Sequence, residues 1–423
     1  MEGEMGTEGR ADRRLAGAEP KAAEARRRRW RLHAGHESAS EPLRPSWTAP
    51  LRSWVFTEPR PVSSSNPNPN PKPPSERLIT LDGSRGEGGG QILRTALSLS
   101  LLTGRPFRIA KIRANRSQPG LRPQHLKAVL AAAELGRADA LGAEVGSRDL
   151  VFRPGAVEPR DLTIDIGTAG ATGLVLQTLH LPLAMRAETA ARVVLTGGTF
   201  NPKAPPFPFL EQTWRAHMAN LGMPLALTMP SAGFYPRGGG RLEAWIEPAH
   251  PKAWTRTTRG DLLRIRGVAG VANLSDDIAG RLRDRALKRL ADEGWNVDLE
   301  IETVRWPSPG QGAALCLTAE HAGTVPTAFV GIGERGKPSE MVADEAVGEL
   351  LDYLSVPDGA VDPHSADQIL LPLALAEGRS VYTVSEVTEH LRTNAATIRA
   401  FLDRNILIEE PSSPGQPGRV VVE

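Results

Sequence analysis

Strands and helices alternate in a regular order from residue 78 onwards, and this order limits the folds open to the chain. Short apolar runs typical of strands and longer runs with helical spacing follow one another as βαβαββ, and the series then recurs. The predicted elements lie at residues 78–81, 91–102, 106–112, 124–135, 150–152 and 162–166, and then at residues 172–186, 192–196, 207–221, 224–229 and 240–246. The repeat predicts an α/β fold in which helices pack on sheets.

A second, shorter series of strands and helices interrupts the repeat. The pattern weakens at residues 248–259 and resumes up to the turn Val356-Pro-Asp-Gly359. We therefore expect a large domain of repeated βαβαββ units, built from residues 77–258 and 357–423. A smaller α/β domain is predicted as an insertion at residues 259–356.

Composition narrows the class of protein. Residues 1–76 hold an arginine run and Pro/Ser/Asn repeats that cannot bury a core, so we expect a disordered extension. The net charge of the 423 residues is only +2, which does not demand a nucleic-acid partner. The one cysteine, Cys316, excludes an intrachain disulfide and fits a reducing cytoplasm. No apolar run reaches membrane-spanning length.

A glycine-rich turn joins the first predicted strand to the first predicted helix, within Asp82-Gly-Ser-Arg-Gly-Glu-Gly-Gly-Gly-Gln-Ile-Leu-Arg94. Glycine lets backbone N–H groups approach a ligand, and a helix N-terminus adds positive potential, so phosphate is the expected guest. Glu87 stands among these glycines, and a carboxylate beside phosphates requires a divalent metal between them. The loop predicts a metal–phosphate or metal–nucleotide site. The alternative is a tight turn with a solvated glutamate.

Further loops could contribute to the same site. Arg113 and Arg116 follow a predicted strand in a loop where both could bind one anion, because paired guanidinium groups are the usual device for phosphate. The alternative is that they pair with surface acids. Two more glycine-rich turns, at residues 165–173 and 197–206, indicate with the first a shared rim, although each alone is weak evidence.

Two C-terminal segments place polar residues at predicted helix starts. Asp367 and Gln368 are predicted to open a helix, and His390 closely precedes Thr393 and Asn394, which are good N-cap types. A histidine beside a helix N-terminus stays neutral more readily, and a phosphate there is stabilised, which suits a nucleophilic imidazole. The residues alone give His390 no advantage over other histidines of the chain.

Taken in order, these motifs resemble the RNA 3′-terminal phosphate cyclase family over about residues 77–423. The motifs that carry the resemblance are Gly86-Glu-Gly-Gly-Gly-Gln91, the Arg113/Arg116 loop with Pro119-Gly-Leu121, Gln124-His125, Gly197-Gly-Thr199 with Asn201-Pro202 and Ala204-Pro-Pro206, Gly233-Phe-Tyr-Pro236 with Gly238-Gly-Gly240, Ala366-Asp-Gln368, and His390 with Thr393-Asn394.

The resemblance implies a reaction in three steps. A histidine attacks the α-phosphorus of ATP, forming a histidine–AMP adduct and releasing pyrophosphate. The AMP passes to an RNA 3′-phosphate, and the vicinal 2′-hydroxyl then attacks that phosphorus and expels AMP. The product is a 2′,3′-cyclic phosphate. The family's fold, a large domain of βαβαββ repeats with a smaller inserted α/β domain, agrees with the boundaries given above.

The family's nucleophile falls on His390, and its metal-linked glutamate falls on Glu87. Its other active-site positions fall on Arg94, Arg113, Arg116, Gln124, Gln177, Asp367 and Gln368. We assign the arginines to the RNA terminal phosphate and the ATP phosphates, and Gln177, Asp367 and Gln368 to AMP. Phe329 is the candidate for stacking on adenine. The implied cofactors are ATP and a divalent metal, Mg or Mn, and the implied partner is RNA with a 3′-terminal phosphate.

Three alternatives have other sequence signatures. A non-catalytic cyclase-like protein of ribosome assembly would lack the nucleophile, whereas His390, Glu87 and both loop arginines are present. An enolpyruvyl transferase uses similar repeats but needs no histidine–nucleotide adduct. A general RNA-binding protein would depend on its arginine-rich tail, so deleting residues 1–76 would abolish its activity.

Overall fold

The structure, a computed structural model, describes residues 78–86, 89–295 and 297–423. The predicted extension at residues 1–76 lies outside them. The described residues form four sheets of four strands each. The first βαβαββ unit comprises β1 (Ile79–Asp82), α1 (Gln91–Thr103), β2 (Phe107–Ala110), α2 (Pro123–Leu135), β3 (Asp139–Leu141) and β4 (Asp149–Arg153). Its strand order is β1-β2-β4-β3, with β1 and β2 parallel and the other pairs antiparallel.

The second unit repeats this topology. It comprises β5 (Leu162–Asp165), α3 (Thr172–Arg186), β6 (Ala191–Gly197), α4, β7 (Leu225–Ser231) and β8 (Gly240–Ile246). Segment α4 begins as Phe207–Phe209, passes through a π-helical turn at Leu210–Trp214 and ends as Arg215–Asn220. The order β5-β6-β8-β7 and the sense of each pairing match the first sheet. The predicted strand at 162–166 therefore opens the second unit, and the short strand β3, which the sequence pattern missed, completes the first.

A third unit is present in the described residues, where the sequence pattern predicted only a return to the large domain. It comprises β9 (Thr255–Arg256), α7 (Pro363–Gln368), α8 (Leu370–Leu375), β14 (Ser380–Val384), α9 (Glu389–Phe401), β15 (Ile406–Glu409) and β16 (Gly418–Val422). Strand β9 pairs parallel with β14, and β14-β16-β15 continue antiparallel, as in the other two sheets.

The fourth sheet lies in the chain between β9 and α7. Its strands are β10 (Leu262–Ala272), β11 (Asp298–Arg305), β12 (Gly312–His321) and β13 (Thr327–Ile332), in the order β11-β10-β12-β13. Helix α5 (Asp276–Asp292) follows β10 in the chain, and helix α6 (Ser339–Leu354) follows β13. Helices α5 and α6 share with these strands a buried apolar cluster of residues from this segment alone. The α/β fold class is confirmed. The domain boundaries at residues 259 and 356 stay a prediction.

Two C-terminal helices begin earlier than predicted. Asp367 and Gln368 end α7 rather than open a helix, because Asp362 caps that helix through the backbone N–H groups of its first turn and Pro363 occupies the first helical position. Thr388 caps α9, so the predicted cap residues Thr393 and Asn394 lie inside the helix. Both corrections move the polar side chains relative to the helix ends.

Helices from all three units meet at one place. Helix α1 of the first unit packs against α3 of the second and α9 of the third, and α9 also contacts α7 and α8. The start of α1 follows the glycine-rich turn, and the start of α9 carries His390. No helix in the described part of the chain is long and apolar enough to cross a membrane.

Candidate active site

His390 lies in the first turn of α9, two residues after the N-cap residue Thr388. The Thr388 hydroxyl accepts a hydrogen bond from Leu391 N at 3.2 Å, which fixes the start of the helix. The first-turn N–H groups of a helix and its dipole favour a bound phosphate. The His390 side chain is exposed, so a ligand can reach it at the positive end of the helix.

Gln91 connects His390 to Asp367. Gln91 Oε1 lies 3.0 Å from His390 Nδ1, and Gln91 Nε2 donates a hydrogen bond to an Asp367 carboxylate oxygen. Because the amide nitrogen serves Asp367, the amide oxygen is the acceptor, and His390 Nδ1 must carry the proton. In the neutral imidazole the lone pair is then on Nε2. The network selects the tautomer in which Nε2 is the nucleophilic nitrogen.

Asp367 is a carboxyl group whose charge depends on pH near neutrality. Burial raises the pKa of Asp367 to about 7, against the opposing effects of His364 and Arg94. Burial also lowers the pKa of the Arg94 guanidinium to about 10, and the Asp367 charge opposes that shift. Arg94 is therefore charged at pH 7, whereas Asp367 is near the midpoint of its titration.

One open cleft brings four of the predicted site residues together, Arg94, Gln177, Asp367 and Gln368. Gln91, Arg94, Gln177, Asp367, Gln368 and Asn394 all line it. Gln177 Nε2 donates to Gln368 Oε1 at 2.5 Å, which joins α3 to the end of α7. Asn394 Oδ1 accepts from Thr95 Oγ1 at 2.7 Å and Asn394 Nδ2 donates to Asp367 O at 2.7 Å, so α1, α7 and α9 are held at fixed positions around the cleft.

A neutral histidine and three cations lie beside the glycine-rich turn. Burial, together with the charges of Arg94, Arg113 and Arg122, lowers the pKa of His125 to about 3, so His125 is neutral at pH 7. His125 Nδ1 accepts from Arg122 N at 3.2 Å, which leaves the proton on Nε2. A Cβ on Gly90 would lie 2.5 Å from His125 Nε2 and 2.7 Å from Arg94 Nη1, so only glycine allows this approach. Converging cations with a neutral donor form a site for an anion.

Of the two predicted loop arginines, Arg116 lies against the same turn and Arg113 bonds within its own loop. Arg113 Nη1 donates to two carbonyl oxygens of its own loop, at 2.7 and 3.2 Å. Burial lowers the pKa of Arg113, and the neighbouring charges of Arg116 and Arg122 lower it further. A Cβ on Gly89 would lie 3.3 Å from Arg116 Nη2, so the arginine loop lies against the glycine-rich turn.

Gln124 links this site to the second glycine-rich turn. Gln124 Oε1 accepts a hydrogen bond from Ala171 N at 3.1 Å, and a Cβ on Gly170 would lie 2.9 Å from Gln124 Cβ. The side chain therefore holds that turn against the start of α2, one residue from His125.

Sequence comparisons agree with this arrangement. A sequence model described as RNA 3′-terminal phosphate cyclase matches residues 85–408. A protein of that name from Koribacter versatilis (strain Ellin345) is 45% identical over 336 residues, which are 79% of this chain and 92% of the relative. Proteins of the same name from Caldivirga maquilingensis and Pyrococcus abyssi are 42% and 39% identical over 333 and 346 residues, covering 78% and 82% of this chain and 94% and 98% of the relatives. The chain belongs to the RNA 3′-terminal phosphate cyclase family. The predicted family is confirmed.

Glu87 and Phe329 were also assigned from the cyclase resemblance. Glu87, the predicted metal ligand, lies outside the described residues. Phe329, the predicted adenine contact, lies in β13, is 1% exposed and packs on Tyr353 at a ring separation of 5.3 Å, and its role stays a prediction. Its ring belongs to the apolar cluster of the fourth sheet. The sequence of a buried strand indicates that it is a strand, but it does not reveal which side chains from other elements pack on it.

Three residues that the sequence motifs contained were not assigned a role in the cyclase site. Gln91 and Asn394 are buried and bridge three helices, and Arg122 adds to the positive charge at His125. One signal was available for Asn394, which follows His390 by four residues and so shares its helix face. No signal was available for Gln91, because its partners come from the third unit.

Proposed function

We propose that this chain converts an RNA 3′-terminal phosphate to a 2′,3′-cyclic phosphate with ATP as the second substrate, through an AMP adduct on His390. The observation that carries the proposal is the connected set His390–Gln91–Asp367 at the N-terminus of α9, in which Gln91 Oε1 lies 3.0 Å from His390 Nδ1 and so favours the tautomer with the lone pair on Nε2. The relatives are named RNA 3′-terminal phosphate cyclase, which supports the substrate class.

The proposed adduct forms by attack of His390 Nε2 on the α-phosphorus of ATP. The new P–N bond replaces the bond to the bridging oxygen, and the electron pair of that bond leaves with pyrophosphate. During this step the imidazole becomes cationic, and the proton on Nδ1 is held by Gln91 Oε1. Negative charge on Asp367 beyond Gln91 stabilises the cation, as a carboxylate behind an imidazole does in other nucleophilic sites.

The next two proposed steps take place at the RNA 3′-phosphate. A terminal phosphate oxygen attacks the phosphorus of the adduct, the P–N bond breaks, and AMP is transferred to the RNA. The 2′-hydroxyl then attacks the terminal phosphorus, loses its proton, and expels AMP. A free phosphate oxygen is a poor leaving group, whereas AMP leaves readily, so adenylylation is what makes the ring closure possible.

The arginine cluster and His125 fit the phosphate groups of both substrates. The charges of Arg94, Arg113 and Arg122 all lower the pKa of His125, and Arg116 lies at the glycine-rich turn. Their positive charge offsets the phosphate charge, and the neutral His125 donates through Nε2 without adding a further charge. Gln177 and Gln368, which are hydrogen-bonded to each other, are proposed to contact AMP together with Asp367.

A divalent metal is a separate part of the proposal. Among the described residues, no group of three or more His, Cys, Asp or Glu side chains could hold a metal ion by itself. We propose that ATP phosphates bring the metal and that Glu87, outside the described residues, contributes a carboxylate ligand. When bound, the metal would neutralise phosphate charge and favour departure of pyrophosphate.

Product analysis tests the proposed function. The purified chain is incubated with ATP, Mg²⁺ and a single-stranded RNA carrying a labelled 3′-phosphate. The expected product keeps its label after phosphatase treatment and loses that protection after mild acid, which opens the cyclic phosphate, and AMP and pyrophosphate accumulate in step with it. A 3′-phosphate that stays fully sensitive to phosphatase, with ATP unconsumed, would reject the proposal.

A further inference from the structure

Three loops of the second unit form a surface beside the active-site cleft. We call residues 167–171, 198–206 and 233–240 the loop platform. Gly198 N donates to Gly170 O at 2.8 Å, and Asn201 Nδ2 donates to Ala169 O at 2.5 Å, which joins the first two loops. The first of these loops also contacts Gln124, which adjoins His125, and His125 lies at Gly90 together with Arg94 of the cleft. The platform therefore continues the rim of the proposed active site.

The third loop is fixed at its base and exposed at its tip. Phe234 is 2% exposed and stacks on Phe200 with ring centres 4.6 Å apart. Gly238 N donates to Phe234 O at 2.7 Å, which closes the loop. Gly238 has a φ of +65°, and a Cβ there would lie 2.6 Å from Ala169 Cα, so the loop lies directly against the first one.

The tip of the third loop presents an aromatic side chain to solvent. Tyr235 is 71% exposed, which makes it the most exposed of the large hydrophobic residues in the described part of the chain. Because Phe234 and Gly238 hold the loop on both sides, the Tyr235 ring has a fixed support. An exposed ring on a rigid support is the arrangement on which nucleic-acid bases stack, since every base offers a flat face.

The charges of the platform suit a polyanion. Arg237 and Lys203 are exposed and make no ion pair among the described residues. The Arg237 stem lies on Gly310, where a Cβ would be 3.1 Å from Arg237 Cβ, so the side chain has a supported position. The three loops contain no acidic residue. The two cations outnumber the nearby carboxylate of Asp165, which accepts a hydrogen bond from Gly167 N at 2.8 Å, and a net positive charge attracts a phosphate backbone.

We propose that the loop platform binds the RNA strand upstream of its 3′ end, with a base stacked on Tyr235 and backbone phosphates near Arg237 and Lys203. The inference rests on the proposed function for the identity of the strand. It adds to that function a binding surface for nucleotides that take no part in the chemistry. A strand that extends from the cleft along Gln124 and the first loop would place its upstream nucleotides at Tyr235.

A length series of RNA tests the platform. Single-stranded 3′-phosphate RNAs of two to about twelve nucleotides, a range that spans common single-strand site sizes, are compared as substrates and as ligands in fluorescence anisotropy. We expect Tyr235→Ala to weaken binding and kcat/KM for the long RNAs by roughly 5- to 150-fold, the effect of removing one stacked base, and to leave the dinucleotide unaffected. Tyr235→Phe keeps the ring and should behave as wild type.

One variant tests the phosphate contacts of the loop platform, and another serves as a control outside it. Arg237→Gln should reduce the slope of log Kd against log salt by about 0.7, the value for one phosphate contact in a single strand. Leu263→Ala, which removes a side chain that is 58% exposed on β10, should change neither binding nor rate. The platform is rejected if Tyr235→Ala has no effect at any length, or lowers the dinucleotide and the long RNA equally. If the wild type binds long RNA through Tyr235 but cyclises none, the platform stands and the proposed function fails.

Discussion

The bond between Gln91 and His390 gives a sharp prediction, because it sets the imidazole tautomer. Gln91→Leu has a similar volume but leaves His390 Nδ1 without its acceptor at 3.0 Å and Asp367 without its amide donor. Asp367 is the buried one of these two groups, and a buried group left without its hydrogen bond costs about 1 to 3 kcal/mol. If that cost falls on the attacking tautomer and the developing imidazolium, adduct formation slows by roughly 5- to 150-fold, at about 1.4 kcal/mol for each factor of ten.

The assay is the single-turnover rate of self-adenylylation at saturating ATP, corrected for the folded fraction of each variant. Ser100→Ala is the matched control, because it removes another hydrogen bond of α1, the 2.7 Å bond from Ser100 Oγ to Arg105 O, at a fully buried residue that does not line the cleft. We expect Ser100→Ala to cost about 1 kcal/mol of folding stability and to change the adenylylation rate by less than about threefold. Equal losses in the two variants, or an unchanged rate in Gln91→Leu, would refute the role of Gln91.

Asp367, Gly90 and Arg259 each give a further prediction. Because the pKa of Asp367 is raised to about 7, its carboxylate is lost as pH falls through that value, so the adenylylation rate should fall on the acid side of pH 7, and Asp367→Asn should remove this part of the pH profile. Gly90→Ala should lower adenylylation at least about tenfold, with a small change in thermal stability, because its Cβ would displace His125 and Arg94. Arg259 is 3% exposed and donates to two backbone carbonyls, so Arg259→Ala should cost about 2 to 4 kcal/mol in urea unfolding.

Local sequence patterns predicted the first two units because their strands and helices are adjacent in the chain. The third unit escaped notice because β9 has two residues and its partner β14 follows more than a hundred residues later, after the fourth sheet. Tertiary pairing, and not local propensity, makes Thr255–Arg256 a strand. The early starts of α7 and α9 were readable in principle, since Asp362-Pro363 and Thr388 are ordinary capping residues.

The site residues also divide into those that sequence motifs predict and those whose role depends on partners distant in the sequence. Arg94, Gln177, Asp367 and Gln368 were predicted through the family motifs, and the structure brings them to one cleft. Gln91 was not assigned a role because its partners are 276 and 299 residues away in sequence. Phe329 was assigned through the family resemblance, and the sequence does not reveal that its ring packs on Tyr353 of helix α6.

The central claim is that His390 carries AMP. The wild type and His390→Asn are incubated side by side with ATP labelled at the α-phosphate and with Mg²⁺, then separated by denaturing electrophoresis. We predict label on the wild type alone, stable to denaturation and released as AMP by acid, as expected of a phosphorus–nitrogen bond. Absence of label on a folded wild type, or equal labelling of His390→Asn, would contradict the account, and the first of these results would favour a non-catalytic binding protein.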